Sequence, residues 1–414
     1  MKKLLMSFLL VTGLVWNLQA DYLKTSRAAN IKEEPKSSAA TIEHVEAGVT
    51  LTLLNGGNQT DGYYKVSTPN GNEGWIYRTL VRRYADNTND STVVTTAGTS
   101  TAEDVEVTAI DVGAGLSCLI KLPGNKYIIY DGGRASAMKY LKKQLPAGTK
   151  IELLVLSHTD ADHWGAVADI ITEYEVKKVL RTSYRINEYS STFTNGAKAI
   201  ENAPYDIEDY DLKEKGDLEP GKELYNKDGV KLTALCGFKQ PLSAWGNLND
   251  AKANNAVSIV VRLDYKGHSI LFGGDAVGRD ECTTGNDCIA TEKFLIEKAG
   301  AALLNADILV VPHHGADNAS CQTFIEKVSP DFVVFSAGHA FRHPRQVTAD
   351  RYIQFGVDQD NIFRTDRGDL EEGGAELCNK EWTYGQGDGD DKPGDDHVRM
   401  VLPKSGKVKV NYLN

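Results

Sequence analysis

The chain has 414 residues and a formal net charge of −11 at pH 7, with 41% hydrophobic and 25% charged residues. This length predicts two or more domains, and this composition excludes a wholly disordered, collagen-like or coiled-coil protein. The negative charge argues against a broad basic face that holds nucleic acid. It does not exclude a metal centre that attracts an anionic substrate, because bound cations dominate the local electrostatic field.

The first twenty residues have the pattern of a secretory signal peptide. Lys2 and Lys3 precede an apolar run over residues 4–16, and Ala20 stands before Asp21 at the expected cleavage point. Because the run is short for a membrane span, we expect cleavage after residue 20 and no stable membrane span in the mature chain. The predicted location is therefore periplasmic or extracellular. An uncleaved anchor is the alternative.

Six cysteines follow this segment: Cys118, Cys236, Cys282, Cys288, Cys321 and Cys378. An even number in an exported protein is typical of disulfides, although the sequence does not determine which cysteines pair. Cys282 and Cys288 enclose a turn-rich segment, and no histidine lies nearby. We therefore expect a local bridge between these two rather than a metal site.

Residues 21–85 predict a small all-β domain, because alternating segments at 50–54 and 63–67 are separated by turn signals at 55–57 and 69–72. The sequence Gly-Tyr-Tyr-Lys-Val at 62–66, followed by Gly-Trp-Ile at 74–76, resembles bacterial SH3-like domains. The resemblance implies a small barrel with peptidoglycan as its partner. The alternative is that these aromatic residues only form the core of the barrel.

Residues 86–104 are rich in small polar residues and predict a flexible linker. From residue 105 to residue 414, strand-like and helix-like segments alternate, which is typical of a layered α/β domain. We expect strands at 105–111, 118–122, 127–130, 151–156, 178–181, 230–235, 256–264, 268–272, 308–311 and 332–336, and helices at 138–145, 166–174, 292–299 and 321–327.

Histidines and aspartates follow several of these strands. Directly after the continuous apolar strand at 151–156 come His158, Asp160, Asp162 and His163. Imidazole and carboxylate together suit zinc, manganese or iron. Later strands are followed by further candidates: Asp275, His313, His314 and His343. Because open α/β sheets form their sites at the carboxyl ends of strands, we expect these residues to share one cleft.

At this point the chain resembles the metallo-β-lactamase fold hydrolases, and within them the ComEC-type branch. The resemblance rests on motifs that occur in the family's order over residues 105–370: Ile110-Asp111-Val112-Gly113-Ala114-Gly115, Tyr130-Asp131-Gly132-Gly133, His158 to Gly165, Asn254-Asn255, Gly273-Gly274-Asp275-Ala276, Pro312-His313-His314-Gly315 and His343-Pro344. It implies an αββα sandwich with a mono- or dinuclear metal centre.

The resemblance also implies a ligand set. It assigns His158 and Asp160 to one metal and Asp162 and His163 to the other, together with His313 or His314. Asp275 bridges the two metals, and Asp131 supports the site through hydrogen bonds. Asp160 stands where many members of the superfamily have histidine, and no histidine occurs between His163 and His268. We therefore expect two divalent ions, with zinc preferred and manganese as the alternative, and weaker binding at the first site.

These residues favour an exported metal-dependent hydrolase that uses metal-bound hydroxide. The resemblance to the ComEC-type branch, which is associated with degrading DNA strands, implies a phosphodiesterase or nuclease. Asp162 would orient the nucleophile, and His343 would contact a phosphoryl oxygen or protonate the leaving group. The predicted substrate is a phosphodiester, with nucleic acid as a candidate. Two alternatives remain: a hydrolase targeted to the cell wall that cleaves another ester or amide, including a β-lactam, and a peptidoglycan-binding protein with a degenerate site.

Overall fold

The computed structural model of the protein describes residues 22–25, 28–55, 59–60, 63–84, 103–283, 287–369, 378, 380–383 and 394–413. The chain divides into two compact units, residues 1–93 and 94–414. The predicted signal peptide and residues 86–102 of the predicted linker lie outside the described residues. Within the described ranges, no helix combines the length and the apolar character that a membrane span needs.

The first unit contains an all-β sheet. Its strands are β1 (Tyr22–Thr25), β2 (Ala29–Lys32), β3 (Thr41–Val45), β4 (Thr50–Leu53), β5 (Gln59–Thr60), β6 (Tyr63–Ser67), β7 (Glu73–Tyr77) and β8 (Val81–Tyr84). They pair in the order β3-β2-β7-β6-β4-β1-β8, and β5 adds to β6. Alternate side chains such as Leu23, Leu51 and Ile76 form a buried core. The predicted all-β character is confirmed, and the SH3-like identity stays a prediction.

The second unit contains sixteen described strands and ten described α-helices. The strands are β9 (Val105–Ala109), β10 (Cys118–Leu122), β11 (Lys126–Tyr130), β12 (Lys150–Leu156), β13 (Glu175–Val176), β14 (Lys178–Arg181), β15 (Glu208–Asp211), β16 (Lys222–Lys227), β17 (Val230–Cys236), β18 (Val260–Tyr265), β19 (His268–Phe272), β20 (Ile308–Val310), β21 (Phe332–Phe335), β22 (Ile362–Arg364), β23 (Val398–Leu402) and β24 (Lys409–Tyr412). The helices are α1 (Ala137–Gln144), α2 (Ala161–Trp164), α3 (Val167–Glu173), α4 (Ser191–Glu201), α5 (Leu212–Lys215), α6 (Asp250–Ala256), α7 (Ala290–Lys298), α8 (Gly300–Leu304), α9 (Gln322–Val328) and α10 (Gln346–Gln354).

The strands of this unit form two mixed sheets. One sheet has the order β15-β14-β12-β11-β10-β9-β23-β24, with β13 beside β12, and the other has the order β16-β17-β18-β19-β20-β21-β22. In the first sheet β11, β12, β14 and β15 are parallel. In the second, β19 to β22 are parallel. The parallel strands of each sheet therefore present several carboxyl ends along one edge.

The buried side chains define four layers. One cluster joins residues of both sheets, such as Ile120 and Val155 from the first sheet with Leu263 and Phe272 from the second, so the two sheets pack face to face. A second cluster packs α7, α9 and α10 on the outer face of the second sheet. A third packs α1, α3 and α4 on the outer face of the first sheet. The predicted αββα sandwich of the metallo-β-lactamase fold is confirmed.

One predicted strand begins too early. Residues 250–256 form α6, and the side chain of Asn249 accepts a hydrogen bond from the backbone N–H of Lys252 at its start. The strand predicted at 256–264 therefore begins only at Val260. An N-terminal cap of this kind stabilises the first helical turn. The segment therefore begins as a helix, although β-branched residues follow it.

The predicted bridge between Cys282 and Cys288 is wrong. Cys282 is bonded to Cys378, and Cys288 is bonded to Cys321. These bridges span 96 and 33 residues, so they constrain the chain far more than a six-residue loop would. The remaining cysteines, Cys118 and Cys236, are buried free thiols, and burial raises the pKa of both.

We expect a peptide map under non-reducing conditions to show Cys282 linked to Cys378 and Cys288 linked to Cys321. Reduction should lower the free energy of unfolding by roughly 4 kcal/mol for the 33-residue bridge and roughly 5 kcal/mol for the 96-residue bridge, because it releases long loops in the unfolded chain. Alkylation of the folded protein should leave Cys118 and Cys236 unmodified. A linked peptide that joins Cys282 to Cys288 would contradict the structure.

Glu292 is a fully buried carboxylate in the second unit. It accepts hydrogen bonds from the backbone N–H groups of Ser320 and Cys321, and so connects α7 to the segment before α9. Burial is the main reason why the pKa of Glu292 rises to about 8, above its usual value of 4.5.

The free energy of unfolding should therefore fall as the pH rises from about 4.5 to about 8. The folded protein retains a proton on Glu292 that the unfolded chain has lost in this range, so ionisation disfavours the folded state. The variant Glu292→Gln should remove this pH-dependent component in denaturant titrations at several pH values. Glu297→Gln, which changes an exposed carboxylate of the same helix, is the control and should retain it.

Candidate metal centre

The candidate site lies where strands from both sheets end. Asp131 follows β11, and the His158–His163 segment follows β12 in the first sheet. Asp275 follows β19, and the His313–His314 pair follows β20 in the second sheet. Because the two sheets pack face to face, these four strand ends meet.

Asp275 lies at the centre of the group. Its carboxylate oxygens are 3.2 Å from His163 Nε2, 3.6 Å from His314 Nε2 and 3.7 Å from the Nε2 atoms of His158 and His313. The Oδ1 atom faces His163 and His314, and the Oδ2 atom faces His158 and His313. A single buried carboxylate thus presents one oxygen to each side of the site.

Two overlapping sets of side chains could each hold a cation. His158, His163 and Asp275 form one set, and Asp162, His163 and His314 form the other, with donor atoms within 4.8 Å of one another in each. The Nε2 atom of His163 has one lone pair and can bind one cation only. If His163 joins Asp162 and His314, the other set keeps His158 and Asp275, and Asp160 Oδ2 lies 3.6 Å from His158 Nε2.

Asp131 holds His163 in position. His163 Nδ1 donates to Asp131 Oδ2 at 2.8 Å, so the Nε2 atom is left as the donor toward a metal. The Asp131 carboxylate also accepts hydrogen bonds from the backbone N–H and the hydroxyl of Ser157, both at 2.7 Å. Asp131 has a left-handed backbone (φ 59°) at the end of β11. A conformation of this kind costs energy and persists where the surroundings enforce it.

The two adjacent histidines after β20 have different surroundings. Both have left-handed backbones (φ 49° and 55°), which turn their side chains in different directions. The Nδ1 of His314 donates to the carbonyl oxygen of Ser336 at 2.7 Å, and its Nε2 faces Asp162 at 3.7 Å. The Nδ1 of His313 lies 2.6 Å from the side-chain oxygen of Asn318. Of the pair, His314 therefore joins the second ligand set.

Asp160 is paired with an arginine, Arg185, that sequence reasoning missed. The guanidinium of Arg185 donates to Asp160 Oδ1. The amide of Asn255 lies 3.1 Å from His313 Nε2; with its oxygen toward that ring, its nitrogen donates to Asp160 Oδ2 at 3.2 Å. Burial opposes ionisation of Asp160, but His158 and Arg185 outweigh it and lower the pKa of Asp160. Asn255 belongs to the Asn254-Asn255 motif identified in the sequence, whereas no sequence pattern indicates a role for Arg185.

The site concentrates negative charge. Burial opposes the ionised form of Asp275, but the four surrounding imidazoles, His163 first, hold the pKa of Asp275 well below its usual value. Burial likewise opposes protonation of His163, yet Asp275 and Asp131 outweigh it and raise the pKa of His163 well above its usual value. A proton on His163 therefore balances the carboxylates, and a divalent cation could replace that proton.

The unpartnered buried atoms and the types of donor atom both indicate that these residues fit a metal centre. His158 Nε2 and Asp275 Oδ1 are buried and have no hydrogen-bond partner among the described residues. Buried polar atoms are rarely left without a partner, because desolvation costs free energy. Mixed nitrogen and oxygen donors suit zinc and manganese. The side chains of Asp160 and Asp162 are 31% and 20% exposed, so the site opens to solvent on their side.

His343 lies beside the second ligand set. Its ring centroid is 5.9 Å from that of His313 and 6.3 Å from that of His314. Its Nδ1 is buried and has no hydrogen-bond partner within the described ranges of the chain. Burial, and then the two neighbouring histidines, lower the pKa of His343 well below its usual value. The structure therefore brings this predicted residue next to the site, and its catalytic role stays a prediction.

Asp131→Asn should weaken metal binding by about 10–100-fold, because His163 would lose the acceptor that fixes its tautomer. A competition titration against a chromophoric chelator measures this affinity. The matched control is Asp211→Asn, since Asp211 accepts the same pair of hydrogen bonds from the N–H and hydroxyl of Ser183 but holds no imidazole. Equal losses in both variants would contradict the role of Asp131.

Comparison with known proteins agrees with this geometry. Residues 110–222 match the family model of the metallo-β-lactamase superfamily. The chain is 26% identical over 268 residues to competence protein ComA of Neisseria gonorrhoeae, which covers 64% of this chain and 31% of that protein. It is 25% identical over 239 residues to recombination protein 2 of Haemophilus influenzae (56% and 24%) and 23% identical over 283 residues to ComE operon protein 3 of Bacillus subtilis (63% and 32%). The chain thus matches no more than about a third of the length of these relatives.

Solved structures are more distant. A metallo-β-lactamase from Hirschia baltica is 15% identical, with a TM-score of 0.28 over 51% of this chain and 87% of that chain. Zinc-bound PqqB from Methylobacterium extorquens is 11% identical, with a TM-score of 0.30 over 61% and 77%. The family match shows a metallo-β-lactamase superfamily domain in residues 110–222, and the chain is similar in sequence to part of competence protein ComA, recombination protein 2 and ComE operon protein 3.

Proposed function

We propose that the protein is a metal-dependent phosphodiesterase of the nuclease type. One observation carries the proposal: Asp275 turns one carboxylate oxygen toward each of two ligand sets. A carboxylate shared in this way suits a pair of cations, and paired cations are typical of enzymes that hydrolyse phosphate diesters. The cations would also attract a phosphate to a chain whose net charge is negative.

The names of the relatives support the same substrate class. Two are named for competence or its operon, and the third is named for recombination, a process that acts on nucleic acid. The family match at residues 110–222 includes Asp131 and the His158–His163 segment, so that similarity bears on the first-sheet part of this site. A nucleic acid would supply the phosphodiester that the site is proposed to cleave.

Bound divalent cations would supply Lewis-acid polarisation of the phosphoryl group and would lower the pKa of a water molecule. The protein's own residues orient the reaction. Asp162 lies on the solvent side of His314 and can accept a proton from an attacking water or hold that water in place. Arg185 is 19% exposed and retains donors that can bind a phosphoryl oxygen, although one N–H group bonds to Asp160.

We also propose that the protein acts outside the cytoplasm and that its first unit binds peptidoglycan. The pattern of residues 1–20 and the two disulfides support export, since disulfides persist in oxidising compartments. The all-β sheet of residues 22–84 and its Gly-Trp-Ile strand support an SH3-like module. Sedimentation of the protein with purified peptidoglycan tests this second part, and no binding there would overturn it.

Purified protein loaded with manganese or zinc should release nitrophenol from bis-p-nitrophenyl phosphate, and a chelator should abolish this activity. Asp162→Asn should lower kcat/KM by roughly 10²–10⁴-fold, because it removes a proton acceptor and a ligand at once. Metal content measured on the same samples separates loss of metal from loss of chemistry.

Asp169→Asn provides the matched control, since Asp169 is an exposed aspartate on the helix that follows the site. This variant should keep full activity. Turnover of nitrocefin without turnover of any phosphodiester would overturn the proposal in favour of β-lactam hydrolysis. Absence of bound metal after loading would overturn it in favour of a binding protein.

A further inference from the structure

A few large hydrophobic side chains are exposed to solvent. Four such residues stand out among the described ranges: Ile42, Ile186, Tyr189 and Phe341, at 41%, 47%, 40% and 53% exposure. Ile42 belongs to the first unit. The other three lie on two segments that border the metal centre, residues 182–190 and 337–345. Two of these three residues, Tyr189 and Phe341, carry aromatic rings that a bound molecule could contact.

The first of these segments is fixed to the metal-binding loop. Arg185 bonds to Asp160, and the hydroxyl of Thr159 donates to the carbonyl oxygen of Tyr184 at 3.0 Å. The backbone N–H of Ile186 donates to the side chain of Asn254 at 3.1 Å. These bonds hold the segment beside the first ligand set, so a group that binds there lies next to the site.

Tyr189 presents one face of a supported ring. Its hydroxyl donates to the carbonyl oxygen of Ser183 at 2.7 Å. Its ring stacks on Phe193 with centroids 4.4 Å apart and planes 15° apart, and Phe193 packs at 4.4 Å on the buried Trp164 that follows His163. The inner face of Tyr189 is therefore covered, and 40% of the residue remains open to solvent. A ring fixed in this way loses little conformational entropy when it stacks on a ligand.

Phe341 occupies the corresponding position beside the second ligand set. Its ring lies 6.3 Å from His343 with planes 28° apart, and His343 lies 6.3 Å from His314 with planes 17° apart. Three nearly parallel rings thus lead from the ligand set to the surface. Phe341 is the most exposed large hydrophobic residue described in the second unit, and the exposed Arg342 follows it.

We propose that Tyr189 and Phe341 stack on unpaired bases at the two sides of the scissile phosphate, so that the substrate is single-stranded nucleic acid. The proposal rests on the proposed phosphodiesterase function and adds the substrate class. Base faces stack on aromatic rings whatever their sequence, and stacking accounts for much of the affinity of proteins that bind single strands.

The charge distribution favours a single strand over a duplex. Arg185 lies on the first segment and Arg342 and Arg345 lie on the second, while the whole chain carries a net charge of −11. A duplex presents its bases already stacked and is bound mainly by neutralising many phosphates. Because few phosphates would be neutralised here, we expect binding of a single strand to depend only weakly on salt, with a slope of roughly −1 to −2 in log K against log salt.

The test compares an intact single-stranded oligonucleotide with an abasic strand of the same length, which keeps every phosphate and lacks the bases. The metal-loaded protein should cleave the intact strand with the higher kcat/KM. In Tyr189→Ala and Phe341→Ala the ratio of the two kcat/KM values should fall about tenfold, mainly through KM. Tyr189→Phe and Phe341→Tyr keep the ring and should restore the ratio.

Ile42→Ala is the matched control, because it truncates an exposed hydrophobic residue of the first unit, and it should leave the ratio unchanged. Thermal unfolding of each variant separates loss of a subsite from loss of the fold. Equal cleavage of intact and abasic strands by the unmodified protein would overturn the stacking proposal while the phosphodiesterase function stands. No cleavage of either strand or of bis-p-nitrophenyl phosphate would overturn the proposed function itself. A preference for duplex would overturn the single-strand assignment.

Discussion

A buried carboxylate needs positive charge nearby, because no water solvates it. At Asp275 this requirement determines which groups surround the carboxylate in the second unit of the protein. Asp275 is almost fully buried, and its Oδ1 atom has no hydrogen-bond partner among the residues that the structure describes. The imidazoles around it can meet the requirement either by carrying protons or by sharing cations with the carboxylate. Metal binding would therefore stabilise the folded state as well as provide the chemistry.

The packing of the two sheets brings Asp275 and the surrounding imidazoles close together. The core between the sheets brings the ends of β12 and β19 together, although these strands belong to different sheets. Gly274 allows the close approach, since its backbone is left-handed (φ 51°) and an added Cβ would lie 2.9 Å from the Cβ of Ser157. Hydrophobic burial in the two sheets thus offsets the cost of placing several charged groups in one small volume.

Much of this could be predicted from the sequence. The apolar run at 151–156 and the polar string after it predicted a buried strand that ends at a metal site, because both signals are local. Arg185 could not be found in this way, since its partner Asp160 lies 25 residues earlier and the pairing depends on the path of the intervening chain. The same reason explains the wrong disulfide: Cys282 is six residues from Cys288, but the fold brings it to Cys378.

The bridge between Cys288 and Cys321 determines when the segment that carries His314 becomes covalently constrained. Cys321 closes the segment that runs from His314 to α9, and the bridge attaches that segment to the beginning of α7. In a reducing cytosol this covalent constraint is missing. If the protein is exported as proposed, the ligand loop becomes fully tethered only after secretion. A copy retained inside the cell would then lack this constraint on the segment that carries His314.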